Sequence, residues 1–246
     1  MKLRIFWAGV GLCLALGGGG TASGAEYYIN DEYVPGDDIY TSARGNDGNP
    51  GTAALPKATL GNVVGTCNLQ PGDVVYIDTG TYAPAVISNT VVGTVGNPIV
   101  FQGSTNYVAN GATFTGGGIN LAVRGRYLHL QDIRAVNGTE GIQLYGASFC
   151  TLERAWAASN SMRQFNIDSS SSNLFRSCVG VGSFPFRAVG TGPGNRVENS
   201  VLYAPGATVF SIYETTFSNI VNCIIVGETV FHLVGYVSTN LENNIF

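Results

Sequence analysis

A short alternating segment returns about every 22 residues through the second half of the chain, and no other feature restricts the fold as tightly. It reads Ile119-Asn-Leu, Ile142-Gln-Leu, Phe165-Asn-Ile, Phe186-Arg-Ala, Phe210-Ser-Ile and Phe231-His-Leu, at spacings of 23, 23, 21, 24 and 21. A second apolar series follows ten or eleven residues behind: Leu130, Leu152, Phe175, Val197, Val221 and Leu241. In the last five copies a third apolar residue comes four positions later, at Trp156, Val179, Val201, Ile225 and Ile245. Each segment is a few residues long with period two, far below helical length. Gly, Asn, Ser and Pro between them supply turns. One such unit cannot bury its apolar face alone, whereas parallel stacking of successive units about 4.8 Å apart buries a continuous column. The Leu-x-x-Leu-x-Leu consensus of leucine-rich repeats is absent, and an antiparallel sandwich would not hold this register. The repeat predicts an all-β parallel β-helix, a solenoid of ~22-residue coils.

Composition agrees. Gly supplies 34 of 246 residues, about twice its usual share of roughly 7 %. Charged residues make up 11 %, with 45 % hydrophobic and 11 % aromatic. Low charge with many aromatics excludes disorder. The two Lys residues exclude a coiled coil, and the lack of a three-residue Gly period excludes collagen. Two positions after the second series stand Asp132, Arg154, Ser177, Asn199, Cys223 and Asn243, where a tight bend is expected. Asn suits the left-handed backbone of such a bend and stacked Asn would form a ladder, but Asn fills only two of the six places.

The N-terminus reads as a secretory signal peptide over residues 1–25: Lys2 and Arg4, an apolar Ile5–Leu16 stretch, then Ser23-Gly24-Ala25. A membrane anchor would need roughly 20 apolar residues, and the Gly run 17–20 ends this one early. Leu12 is too bulky for a lipoprotein signal at Cys13. Removal of the leader leaves ten basic residues against 16 acidic, a charge of −6. That balance argues against nucleic acid and against a membrane partner after cleavage. The expected location is secreted or at the cell surface. Cys67, Cys150, Cys178 and Cys223 show no metal spacing and are expected as buried thiols.

Residues 26–246 form one expected β-helix domain, with an N-terminal cap over about 26–70 and coils over about 71–246. Residues 57–66 are the candidate capping helix, because an open solenoid end exposes sheet edge and apolar interior. The chain stops at Asn244-Ile-Phe246, inside a repeat and without a polar terminal unit, so a C-terminal continuation is expected.

Several stretches carry a resemblance: Tyr27-Tyr28-Ile29, Gly45-Asn-Asp-Gly-Asn-Pro-Gly-Thr52, Pro56-Lys-Ala-Thr59, Pro71-Gly-Asp-Val-Val-Tyr-Ile-Asp-Thr-Gly-Thr-Tyr82, Gly96-Asn-Pro-Ile99 and the Tyr127–Gly138 stretch. Together they resemble secreted right-handed parallel β-helix proteins of the pectin-lyase-like superfamily. The resemblance covers essentially the whole mature chain and is specific for fold. For activity it implies polysaccharide lyases, polygalacturonase-like hydrolases or surface proteins without catalysis.

On strands reading apolar-x-apolar-x, the outward positions of the first series are Asn120/Ala122, Gln143/Tyr145, Asn166/Asp168, Arg187/Val189, Ser211/Tyr213 and His232/Val234. Six coils spread this stripe along roughly 24 Å. Amides, charged groups and aromatic faces suit sugar hydroxyls and the apolar side of a pyranose ring. Gln143, Tyr145, Asn166, Tyr213 and His232 are the candidate substrate-binding residues. Arg187 and Asp168 are the candidate catalytic pair. Elimination at a uronic acid needs a base at C5 and a cation on the carboxylate. Lys57 is the only mature Lys and belongs to the cap, so Arg187 would serve, as the resemblance to some pectate lyases implies. Hydrolysis would need grouped carboxylates, which are missing; if the chain is an enzyme, a lyase fits better than a glycoside hydrolase. No metal site is expected, and calcium enters only with a lyase.

Glu153, Arg176 and Glu198, beside Gln131, Asn222 and Glu242, read as a register-holding charge ladder. His129 and His232 have no partner set for a metal or a triad, and Asn137-Gly-Thr139 is a formal glycosylation sequon. Two functional readings stay open: a monomeric protein that binds, or cleaves by β-elimination, an extracellular acidic polysaccharide, and a non-catalytic structural or adhesin-type module of a larger surface protein.

Overall fold

The computed structural model describes residues 24–246. All but the last two residues of the expected leader therefore lie outside the described residues.

Period-two segments of three to six residues alternate buried and exposed side chains, and each turn of the chain contributes three of them. Parallel pairing between turns gives three faces. The first is built from Ala85–Ile87, Ile119–Val123, Glu140–Tyr145, Arg163–Asp168 and Phe186–Val189. The second runs from Glu26–Ile29 through Val74–Ile77, Ile99–Gly103, Leu128–Gln131, Thr151–Glu153 and Leu174–Arg176 to Arg196–Glu198. Gly80–Tyr82, Ala112–Thr115, Ile133–Val136, Trp156–Ala158 and Val179–Val181 form the third. Two long strands, Val201–Val221 and Ile224–Glu242, turn the corners without a break and extend all three. The result is a right-handed parallel β-helix.

Stacking places like residues over like. Phe165, Phe186, Phe210 and Phe231 follow one another inside the first face, with ring centroids 6.4, 5.3 and 5.2 Å apart. Phe175 reaches across from the second face to meet Phe165 at 5.7 Å and Phe186 at 5.0 Å, both edge-on. The edge-on contacts of Phe175 suit the ring quadrupole.

The register corrects the repeat at several places. Leu121, not Ile119, pairs with Ile142. Ile220, not Val221, pairs with Val197, and Ile224, not Ile225, pairs with Val201 and bridges to Ile245. Where two apolar residues adjoin, as at Ile220-Val221, only the pleat decides which points inward. Val221, rather than Asn222, thus sits in the outward column after Glu198.

The bend between the second and third faces is a single left-handed residue in every copy: Asp132, Arg154, Ser177, Asn199, Asn222 and Asn243, with φ between 50° and 58°. Asn222 fills the fifth place in lieu of Cys223. The first five bends each donate their backbone N–H to the next turn, from Asp132 to Glu153 and from Arg154 to Arg176, for example. The ladder at this corner is therefore made by backbone, which leaves the side chain free to vary. Amide side chains stack elsewhere, as where Asn173 Nδ2 donates to Asn195 Oδ1 at 3.0 Å.

At the N-terminal end the helix α1, Leu60–Thr66, lies inside the expected 57–66 stretch. Thr59 caps it by accepting from the Asn62 N–H, and Leu60 and Val63 are buried against the solenoid. Cys150, Cys178 and Cys223 are buried thiols that donate to backbone carbonyls. No helix among the described residues is long and apolar enough to cross a membrane.

Candidate functional site

Alternation on the first face turns Ile142, Leu144, Phe165, Ile167, Phe186 and Ala188 inward, so the residues between them must project outward. The register lines these up in two neighbouring columns. Gln143, Asn166, Arg187, Ser211 and His232 form one; Tyr145, Asp168, Val189, Tyr213 and Val234 form the other. All seven candidate residues thus lie on one sheet. Asn120 does not. It is wholly buried at the corner, accepts from the Gly117 N–H and donates to Asn160 and to the Val136 carbonyl. Asn160 in turn meets Gln164, and a Cβ at Gly141 would collide with this buried amide chain. Ala122 is the first-copy residue in register with Gln143.

Two residues outside the expected set organise the site. Glu140, buried at the start of its strand, forms an ion pair with Arg163, its register partner on the next turn. Glu140 also accepts from Gln143 Nε2 at 3.2 Å and from Asn166 Nδ2 at 2.8 Å. The apolar triplets at 142 and 165 begin two residues too late to include either. The visible signal was an acid and a base at equivalent positions 23 residues apart. Asn166, only 2 % exposed, spends its amide between Glu140 and Arg187, whose Nη1 donates to Asn166 Oδ1 at 3.2 Å. Asn166 therefore holds Arg187 in place and presents almost none of its own amide to solvent.

Arg187 also lies over the Tyr213 ring, 5.5 Å from its centroid. Burial, and after it the like charge of Arg163, pull the guanidinium below its ordinary value against the opposite pull of Asp168 and Glu140. The Tyr213 hydroxyl lies 3.3 Å from His232 Nδ1, with the rings edge-on. Arg124 covers the exposed Tyr145 ring at 5.9 Å. Asp168 accepts from Ser169 Oγ at 2.8 Å and joins no ion pair among the described residues. The stripe therefore offers one half-buried cation held from two sides, two aromatic faces, an amide and a carboxylate.

These groups do not make a calcium cage. Glu140 is tied to Arg163, Asn166 and Gln143, which leaves Asp168 as a lone carboxylate where calcium takes six to eight oxygens. Among the described residues no three His, Cys, Asp or Glu side chains cluster as metal ligands.

On the second face Glu153, Arg176 and Glu198 stand in register, with Arg176 Nε 3.5 Å from Glu198 Oε2. His129, read from the sequence as isolated, meets Glu153 at 3.0 Å, and Arg154 reaches the same carboxylate at 2.9 Å. These pairs match charges along the solenoid; exposed pairs of this kind contribute about 0–1 kcal/mol each.

No family model and no curated protein matches the sequence. Solved structures do. The chain is similar to a rhamnogalacturonan lyase, with a TM-score of 0.67 and 19 % identity over 90 % of this chain and 68 % of that one. It is also similar to pectate lyase Pel9A, with a TM-score of 0.51 and 14 % identity over 89 % and 78 % of the two chains. At these identities the likeness shows the fold.

Proposed function

We propose that this chain, which has the parallel β-helix fold of pectin-lyase-like proteins, binds an acidic polysaccharide along its first face, with Arg187 as the carboxylate anchor. The single observation behind this reading is the setting of Arg187. Asn166 and the Tyr213 ring hold it on a flat sheet beside Tyr145, Gln143 and Asp168. A guanidinium pairs with a uronate through two parallel hydrogen bonds, while Tyr145 and Tyr213 offer faces to adjoining rings. The similar lyases in the comparison support the substrate class. The leader over residues 1–25 would deliver the protein to the outside, where such polymers occur.

Cleavage is a second reading, favoured by Arg187 and Asp168 standing on adjacent turns of the same face. In β-elimination a base takes the C5 proton, the C4–C5 double bond forms, the C4–O bond breaks and the leaving oxygen takes a proton from solvent. In this reading Arg187 is the candidate base rather than the anchor, Asp168 the neighbouring carboxylate that would support its charge on protonation, and added calcium the cation that would neutralise the uronate.

Calorimetry with polygalacturonate tests the binding: Arg187→Ala is expected to weaken it by roughly tenfold or more. Binding that survives the combined Tyr145→Ala and Tyr213→Ala changes sinks the face-one site. Absorbance at about 235 nm, followed with and without calcium, tests elimination. Binding without any such signal assigns the chain to the non-catalytic class.

A further inference from the structure

A second groove lies at the corner between the first and second faces, where successive turns place Tyr127, Phe149, Ser172 and Gly194 at one position. All four have left-handed backbone, with φ of 52°, 57°, 57° and 86°. Gly is the ordinary choice there, and a bulky aromatic residue in this region costs on the order of 1 kcal/mol or more. Two adjacent turns nevertheless carry aromatic residues, and neither ring belongs to the core. Tyr127 and Phe149 stack almost parallel, centroids 4.8 Å apart and planes 5° apart, and Phe149 stays 45 % exposed. The stack ends at Ser172, so no third ring covers Phe149 on that side.

The groove beside this stack holds about 390 Å³, within the usual range for small-ligand sites. The Thr94–Asn97 hairpin forms its rim, and His129, Thr151 and Ser172 supply hydrogen-bonding groups. No Asp, Glu, Lys or Arg among the described residues lines the groove, and His129 meets Glu153 behind it at 3.0 Å. An aromatic platform with hydroxyl-directed polar groups and no acidic or basic lining residue besides His129 suits the apolar face of an uncharged sugar. We propose that this corner groove is a second saccharide site, distinct from the Arg187 stripe, which takes a neutral pyranose ring stacked on Phe149.

The decisive variant is Phe149→Asn, because Asn accepts the left-handed backbone and should leave the thermal midpoint at or above that of the parent. The probes are cellohexaose and β-1,4-galactohexaose, titrated calorimetrically against the full chain. At least one is expected to bind, with affinity lost by roughly tenfold or more in Phe149→Asn and restored in Phe149→Tyr. Arg187→Ala should leave that affinity within about twofold, which separates this site from the polygalacturonate-binding face. Absence of binding by both probes, or equal binding by Phe149→Asn, overturns the proposal. So does equal weakening by Arg187→Ala, which would place the ring on the first face. Concentration-dependent dimerisation in sedimentation velocity that Phe149→Asn abolishes would assign the groove to a second copy of the chain instead.

Discussion

At Asp132 a carboxylate, a left-handed corner and an arginine meet. Its oxygens accept from Arg154 Nε at 2.7 Å and Nη2 at 2.8 Å, from Gln102 at 2.9 Å and from the Tyr107 hydroxyl. Burial works against the charged form, but these hydrogen bonds outweigh it, and the carboxyl sits below its usual range. The stability it adds is thus complete above its unfolded value, about pH 4, and is lost as pH falls through the lower folded value. Asp132→Asn keeps the backbone geometry and removes the charge. Urea unfolding followed from pH 6 to about pH 3 should show a flatter acid limb in this variant. An unchanged limb would mean that Asp132 is not part of the acid response. The same contacts raise Tyr107 to about 12, with burial first and Asp132 next, so this hydroxyl stays protonated and donates throughout that range.

At the scale of the element, the unit of stability is a column that crosses turns. Phe186 illustrates it, touching Phe165, Phe175 and Phe210 from three strands on two faces. Phe186→Ala opens a cavity that three rings cannot close, and is expected to cost about 3–5 kcal/mol in urea unfolding. A loss below about 1 kcal/mol would mean that the column repacks. The helix α1 works the same way at the end of the stack, where Leu60 and Val63 cover what would otherwise be open apolar interior. The corner between the second and third faces needs only a left-handed residue whose N–H points to the next turn, which is why Asp, Arg, Ser and Asn all serve.

Across the whole molecule each turn touches only its neighbours, and energy should add along the axis. Phe186 lies four rungs beyond the Ala85–Ile87 strand against which α1 packs, roughly 19 Å at the spacing of parallel strands. The losses from Leu60→Ala and Phe186→Ala should therefore sum to within about 0.5 kcal/mol in the double variant. A larger coupling would show that the two ends communicate through the backbone. The same geometry repeats the outward positions of the first face once per turn, so any ligand of that face would meet them in series along the axis.

The sequence by itself determined the period, the short strands of each turn, the capping stretch and the apolar columns. All of these depend on local alternation and on spacing, which a linear chain displays openly. It also put the seven candidate residues on one face, because outward positions follow once the inward ones are known. Register was decided only in three dimensions. A slip of one residue turns a side chain from core to solvent, and at Ile220-Val221 the neighbouring turn alone chooses between two apolar residues. The Glu140–Arg163 pair that holds Asn166 and Arg187, and the Tyr127–Phe149 stack at the corner, were also decided there. Both join residues more than twenty positions apart in the chain, and only the closing of each turn upon the last brings them into contact.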